Sequence, residues 1–113
     1  NVISHMELIG EVTGKNVVLV DDMVDTAGTL TKAADLMMER GALSVRAITT
    51  HAILSGNAYE RIENSKLTEL IVTDSIPLKQ QSDKIRVIGC ADLFADVMQR
   101  VHTNTSISSK FLM

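Results

Sequence analysis

Along the 113-residue chain, runs of apolar positions change period several times, and each change marks an expected element. Val17, Val18, Leu19 and Val20 form a continuous, mostly β-branched run, the pattern of a strand buried on both faces of a parallel sheet. Over residues 29–40 the period becomes helical. Leu30, Ala33, Ala34, Met37 and Met38 fall at i, i+3, i+4, i+7 and i+8, one stripe that faces the sheet. Thr31, Lys32, Asp35, Glu39 and Arg40 take the other side, and Gly41 supplies the stop. Met37 and Met38 lie on the stripe, so they read as core filler and not as sulfur ligands. Residues 44–50 read as the next strand, reached by a βαβ crossover. A short helix is expected near residues 58–64 and a third core strand at 67–73. After a turn at Asp74, Ser75, Ile76 and Pro77 comes a short last strand at 85–88. From Cys90 the helical stripe returns through Leu93, Phe94, Val97, Met98 and Val101. Upstream, residues 7–13 are expected to form a strand that turns through Gly14, Lys15 and Asn16 into Val17 as a hairpin.

The order β-β-α-β-α-β-β-α predicts an α/β three-layer domain with a mostly parallel sheet. The length and a hydrophobic content of 45% suit one domain with one core, residues 1–113. In such sheets, ligands sit where strands end and helices begin. The first strand ends in two carboxylates, Asp21 and Asp22, and the loop Asp25, Thr26, Ala27, Gly28, Thr29 runs straight into the helix. A short Gly- and Thr-containing loop at a helix start aims N–H groups and hydroxyls at an anion. The carboxylates suit a neutral diol, because each accepts hydroxyl hydrogen bonds. Diol and phosphate on one small molecule describe a sugar phosphate. The competing reading makes Asp25 and Thr26 ordinary helix caps.

The stretch V-V-L-V-D-D-M-V-D-T-A-G-T at residues 17–29 resembles the phosphoribosyl-pyrophosphate (PRPP) motif of type I phosphoribosyltransferases and of ribose-phosphate pyrophosphokinases. Residues 49–58 (T-T-H-A-I-L-S-G-N-A) and 72–77 (V-T-D-S-I-P) resemble the pyrophosphokinase family in particular, as does the tail around Val101, His102, Ser106, Ile107 and Ser108. Ala52 and Asn57 stand where many members have proline. The resemblance implies a type I phosphoribosyltransferase-like fold and the C-terminal part of a PRPP synthetase, so the chain is expected to be a fragment; it begins with Asn1, not Met. It implies magnesium-dependent transfer of the diphosphoryl group of ATP to the 1-hydroxyl of ribose 5-phosphate. Asp21 and Asp22 would hold the ribose hydroxyls, directly or through magnesium. Asp25, Thr26, Ala27, Gly28 and Thr29 would wrap the 5-phosphate. The family's catalytic lysine and arginine, and its ATP and metal sites, lie upstream of the matching segment, so no catalytic residue is expected in this chain and the piece alone is expected to be inactive. Of the nearby cations, Lys15 lies at the far end of the strand and Lys32 on the polar side of its helix. A homo-oligomer, hexameric by family resemblance, is also implied. Residues 51–57 and the tail at Ser106, Ile107 and Ser108 are candidates for contact with a neighbouring subunit or its nucleotide.

Composition narrows the alternatives. A net charge of −3 argues against non-specific nucleic-acid binding, and 3% aromatics are too few for a base-stacking platform. No run is long enough to span a bilayer and no signal-peptide pattern is present. Cys90 is the single cysteine; with the missing export pattern this fits a cytoplasmic protein. At the start of an apolar stripe it reads as a structural thiol. His5, His51 and His102 have no zinc-ligand spacing, and neither a P-loop nor a dinucleotide-binding glycine pattern occurs. His51 is expected to be a satisfied structural histidine and Ser55 a helix N-cap. Three alternatives remain: a PRPP-consuming transferase, a non-catalytic regulatory homologue of the synthetase, and a D-x-D-x-T phosphatase, whose spacing Asp21, Asp22 and Asp25 lack.

Overall fold

The structure, a computed structural model, describes residues 6–111; His5 lies outside them. The chain runs β1 (Asn16–Val24), α1 (Gly28–Glu39), β2 (Ser44–Ala52), α2 (Ala58–Asn64), β3 (Glu69–Thr73), β4 (Ile85–Ile88), α3 (Ala91–His102) and a single 3-10 turn at Ser108–Lys110. The sheet order is β1-β2-β3-β4, and every neighbouring pair is parallel. Parallel neighbours need crossovers, and right-handed crossovers that step in one direction put their helices on one face. Accordingly α1 and α2 touch each other and cover the same side. Val45, Ala47, Leu70 and Val72 point into that layer from the sheet, against Ala34 of α1 and Ile62 of α2, all fully buried. The α/β class with a parallel sheet is as the sequence pattern predicts, and Met37 and Met38 pack against this core.

Three expectations are corrected. Residues 7–13 form no strand. The chain just after them is bound to the turn after α1 instead: Gly14 N donates to Gly41 O at 2.8 Å and Leu43 N to Lys15 O at 2.8 Å, while the Thr13 side chain donates its Oγ1–H to Arg40 O at 3.1 Å. Gly41 sits at φ 95°, and an added Cβ there would come within 3.3 Å of Thr13, so the glycine that stops α1 also admits this segment. Second, β1 is not buried on both faces. It is an edge strand, and Val18 and Val20 (79% exposed) stand uncovered on the side away from α1, beside Ile48 of β2. Of the three expected layers, two are packed among the described residues. Third, the stripe of α3 is not core. No residue of α3 is buried; Leu93, Phe94, Met98 and Val101 are exposed. An apolar stripe in sequence states which side of a helix seeks a partner; here the described residues do not supply it.

The open face carries charge as well. Glu69 receives both Arg86 (two bonds of 2.8 Å) and Arg46 (3.2 Å) across three strands. The Arg86 hydrogen bond is the main reason the Glu69 carboxyl is held below its ordinary range. A carboxylate lowered in this way favours the folded state above its unfolded pKa and loses that contribution as pH falls through the folded value.

Among the described residues the buried hydroxyl of Thr49 lacks a partner. Thr49 of β2 is 1% exposed and its Oγ1 makes no hydrogen bond among the described residues. An unsatisfied buried hydroxyl costs about 1–3 kcal/mol. The Thr49→Val substitution keeps the shape and removes that cost, so it is expected to stabilise the fold by about 1 kcal/mol. Urea denaturation of the protein that carries this chain checks it; a midpoint lowered by the substitution would mean that Thr49 Oγ1 is satisfied.

Candidate functional site

The carboxyl end of β1, the loop to α1 and the first turn of α1 line one cleft of about 810 Å³. Asp21, Asp25, Thr26, Ala27, Gly28 and Thr29 all border it, so the structure brings together six of the seven residues singled out in the sequence. Asp22 is the exception. Successive strand residues point to opposite faces, so adjacency in sequence turns Asp22 away from the side that Asp21 serves. Its backbone N–H instead donates to Asp21 Oδ1 at 2.8 Å.

The loop does not behave as a helix cap. The N-cap position is Ala27, in the left-handed region at φ 64°, and no side chain caps α1. The first-turn N–H groups of any helix lack intrahelical acceptors, and here Asp25 and Thr26 leave them open. The Asp25 carboxylate accepts a hydrogen bond from Ser55 Oγ, and Ser55 N donates to Asp25 O at 3.0 Å. Ile53 N and Leu54 N both donate to Val24 O, at 3.0 and 3.2 Å. The connection after β2 is therefore bound to the loop after β1. Ser55 is not the cap of α2, as expected from sequence; that position is Asn57. Behind the loop, Thr31 donates to Ala27 O through its N (3.0 Å) and its Oγ1 (2.7 Å). Arg61 of α2 donates to Thr26 O at 2.9 Å.

Thr49, Lys32 and Arg61, which sequence reasoning left out of the site, also border the cleft. Lys32 is exposed, as its polar position predicts, but helix geometry at the start of α1 carries it beside the loop. Thr49 is the register partner of Asp21, so a strand-pairing alignment would have found it. No signal in the sequence connects Arg61 to the loop.

The other candidates lie apart from the cleft. His51 Nδ1 and Ser75 Oγ are hydrogen-bonded at 2.8 Å at the surface, so His51 is satisfied, as expected. Cys90 does not open a buried stripe: its N and Sγ donate to Asp74 Oδ1 at 3.0 and 2.8 Å at the foot of α3. The bond to the Asp74 carboxylate keeps the thiol pKa above its ordinary value, and the thiol in turn lowers that of Asp74. A thiol held protonated is a poor nucleophile, in keeping with a structural role. Ser106 and Ser108 bond to each other at 2.9 Å, while Arg100 holds Ser106 O at 3.0 Å.

Among the described residues no three of His, Cys, Asp and Glu gather as a metal-ligand set. Asp21 and Asp25 are the two carboxylates on the cleft. Magnesium usually binds through one or two carboxylates plus a ligand's phosphate oxygens, so the donor set fits magnesium carried with a phosphorylated ligand. No helix among the described residues is long and apolar enough to cross a membrane.

The phosphoribosyl synthetase-associated domain family matches residues 2–112. The ribose-phosphate pyrophosphokinase of Wolinella succinogenes is 52% identical over 112 residues, 99% of this chain and 36% of the relative. That of Campylobacter jejuni is 53% identical over 107 residues, 95% of this chain and 35% of the relative. The crystal structure of phosphoribosylpyrophosphate synthetase from Mycobacterium smegmatis superposes with a TM-score of 0.82 at 36% identity, over 85% of this chain and 33% of that one. The chain thus spans about a third of the length of the curated relatives it matches. With the family matched over nearly its whole length, this chain belongs to the phosphoribosyl synthetase-associated domain family.

Proposed function

We propose that this chain is the ribose 5-phosphate side of a ribose-phosphate pyrophosphokinase. The 1-hydroxyl oxygen of the sugar attacks the β-phosphorus of ATP, the bond between the α,β-bridging oxygen and the β-phosphorus breaks, AMP leaves and the hydroxyl proton is lost. Magnesium, when bound with the phosphates, offsets their charge. The single observation that carries the reading is the left-handed, uncapped loop at Ala27 in the same cleft as Asp21. Open N–H groups take the phosphate, and a carboxylate a short distance away takes the ribose hydroxyls. Asp22, on the other side of the strand, acts on this ligand only through its backbone N–H to Asp21. Such chemistry is mainly positioning and charge stabilisation, and this chain supplies the positioning of the acceptor. The relatives' printed names support the reading. The unpartnered stripe of α3 supports the expected homo-oligomer, since it needs an apolar surface to cover it. The reading places the protein in the cytoplasm, where nucleotide precursors are made.

The test uses the intact protein of which this chain is a part. With ATP, magnesium and ribose 5-phosphate it is expected to release AMP, dependent on the sugar phosphate. Asp21→Asn is expected to weaken ribose 5-phosphate by about 1.5–3 kcal/mol, the worth of a charge-assisted hydrogen bond, and to leave ATP affinity unchanged. Sugar-phosphate binding without AMP release would favour the regulatory homologue. Release of pyrophosphate from PRPP with a base would favour the consuming transferase.

A further inference from the structure

Ala27 holds a left-handed conformation at φ 64° while only 4% exposed. Non-glycine residues avoid that region because Cβ crowds the following carbonyl, so neighbouring groups must hold it there. Three contacts do so. Asp25 is held by Ser55 and the Ala27 carbonyl by Thr31. Among the described residues the peptide between Thr26 and Ala27 is held by Arg61, whose Nη1 lies 2.9 Å from Thr26 O. In a trans peptide the carbonyl and the following N–H point opposite ways, and no peptide among the described residues is cis. Fixing the Thr26 carbonyl therefore fixes the direction of the Ala27 N–H, the first in the run of N–H groups at Ala27, Gly28 and Thr29. Arg61 comes from a different helix and is itself exposed. Its guanidinium also lies 3.8 Å from where a Cβ on Gly28 would stand, so it closes the back of the loop.

We propose that Arg61 is the positioning residue of the anion loop: by holding the Thr26 carbonyl it keeps Ala27 left-handed and the N–H groups of residues 27–29 aimed at one phosphate. The proposal rests on the reading of the loop as the 5-phosphate site. Arg61 need not touch the ligand; it acts through the loop backbone. Lysine at this position keeps a donor but loses the guanidinium's fixed planar fork, and alanine leaves the carbonyl to water.

The experiment is a titration of the intact protein and its Arg61→Ala and Arg61→Lys variants with ribose 5-phosphate, inorganic phosphate and ATP. Arg61→Ala is expected to raise the Kd for ribose 5-phosphate and for inorganic phosphate by about tenfold to a hundredfold, the effect of losing a hydrogen bond to a charged group. ATP affinity stays as it is. Arg61→Lys recovers part of the loss. Millimolar guanidinium, added to Arg61→Ala, restores binding by filling the vacated place, which a general loss of folding would not allow. If Arg61→Ala melts at lower temperature, the lysine variant and the guanidinium rescue carry the same test. Unchanged phosphate binding in Arg61→Ala, equal weakening of ATP, or no rescue would overturn the role of Arg61 alone. Wild-type protein that binds neither ribose 5-phosphate nor phosphate would overturn the loop reading and the proposal with it.

Discussion

Gly28→Asp is expected to abolish ribose 5-phosphate binding while leaving the fold intact or slightly firmer. The two effects have opposite signs because they come from the same feature. Gly28 is the first residue of α1, its φ is ordinary, and among the described residues a Cβ there would meet Arg61 Nη1 and Thr26 Oγ1, both at 3.8 Å. Nothing in the packing demands glycine. A carboxylate at a helix N-terminus is favourable by about 0.3–1 kcal/mol, and Arg61 stands within reach. An incoming phosphate, however, would meet a fixed negative charge in the place meant for it. Two unit charges 4 Å apart at an effective dielectric of 20 repel by roughly 4 kcal/mol, about a thousandfold in affinity. Calorimetric titration with ribose 5-phosphate and a thermal melt on the same sample separate the two effects. Retained binding would place the phosphate elsewhere; joint loss of binding and melting temperature would make Gly28 a structural residue.

The second large effect is on stability. Leu70, the second residue of β3, is fully buried between the sheet and the α1–α2 layer. Leu70→Ala removes its methyl groups and leaves a cavity, at a cost of about 2–5 kcal/mol. Chemical denaturation should show the midpoint fall accordingly. The exposed Val20 of β1 supplies the contrast: Val20→Ala, on the open face, removes no buried contact among the described residues, and is expected to change stability by less than about 0.5 kcal/mol. A Val20→Ala cost equal to that of Leu70→Ala would mean that a further layer covers this face.

Periodicity alone makes most elements legible in the sequence. Helix α1 and strands β2 and β4 follow directly from the spacing of Leu30, Ala33, Ala34, Met37 and Met38 and from the β-branched runs. Amphipathic pattern, however, does not say whether a partner is present. That is why the stripes of Leu93, Phe94 and Met98, and of Val18 and Val20, were expected in a core and stand exposed. The segment at residues 7–13 misled because its apolar content resembles a strand, while the turn that follows it is tied by Gly14 N to Gly41 O and not folded back as a hairpin.

The site was half legible. A strand, a Gly- and Thr-containing loop and a helix start are local in sequence, so Asp25, Thr26, Ala27, Gly28 and Thr29 could be placed together. Asp21 and Asp22 looked equivalent because adjacency hides the alternation of a strand. Of the parts that hold the loop, Ser55 lies 30 residues away in the family-like stretch at 49–58, and Arg61, 35 residues away, carries no motif. The left-handed Ala27 was likewise invisible, since its conformation is imposed by those distant contacts and not by its own preference.

The central claim is that the loop from Asp25 to Thr29 receives the 5-phosphate of ribose 5-phosphate. A crystal structure of the intact protein with ribose 5-phosphate tests it most directly. The account predicts phosphate oxygens within hydrogen-bond distance of the N–H groups of residues 27–29 and ribose hydroxyls on the Asp21 carboxylate. A phosphate bound elsewhere, with the loop empty, would contradict it.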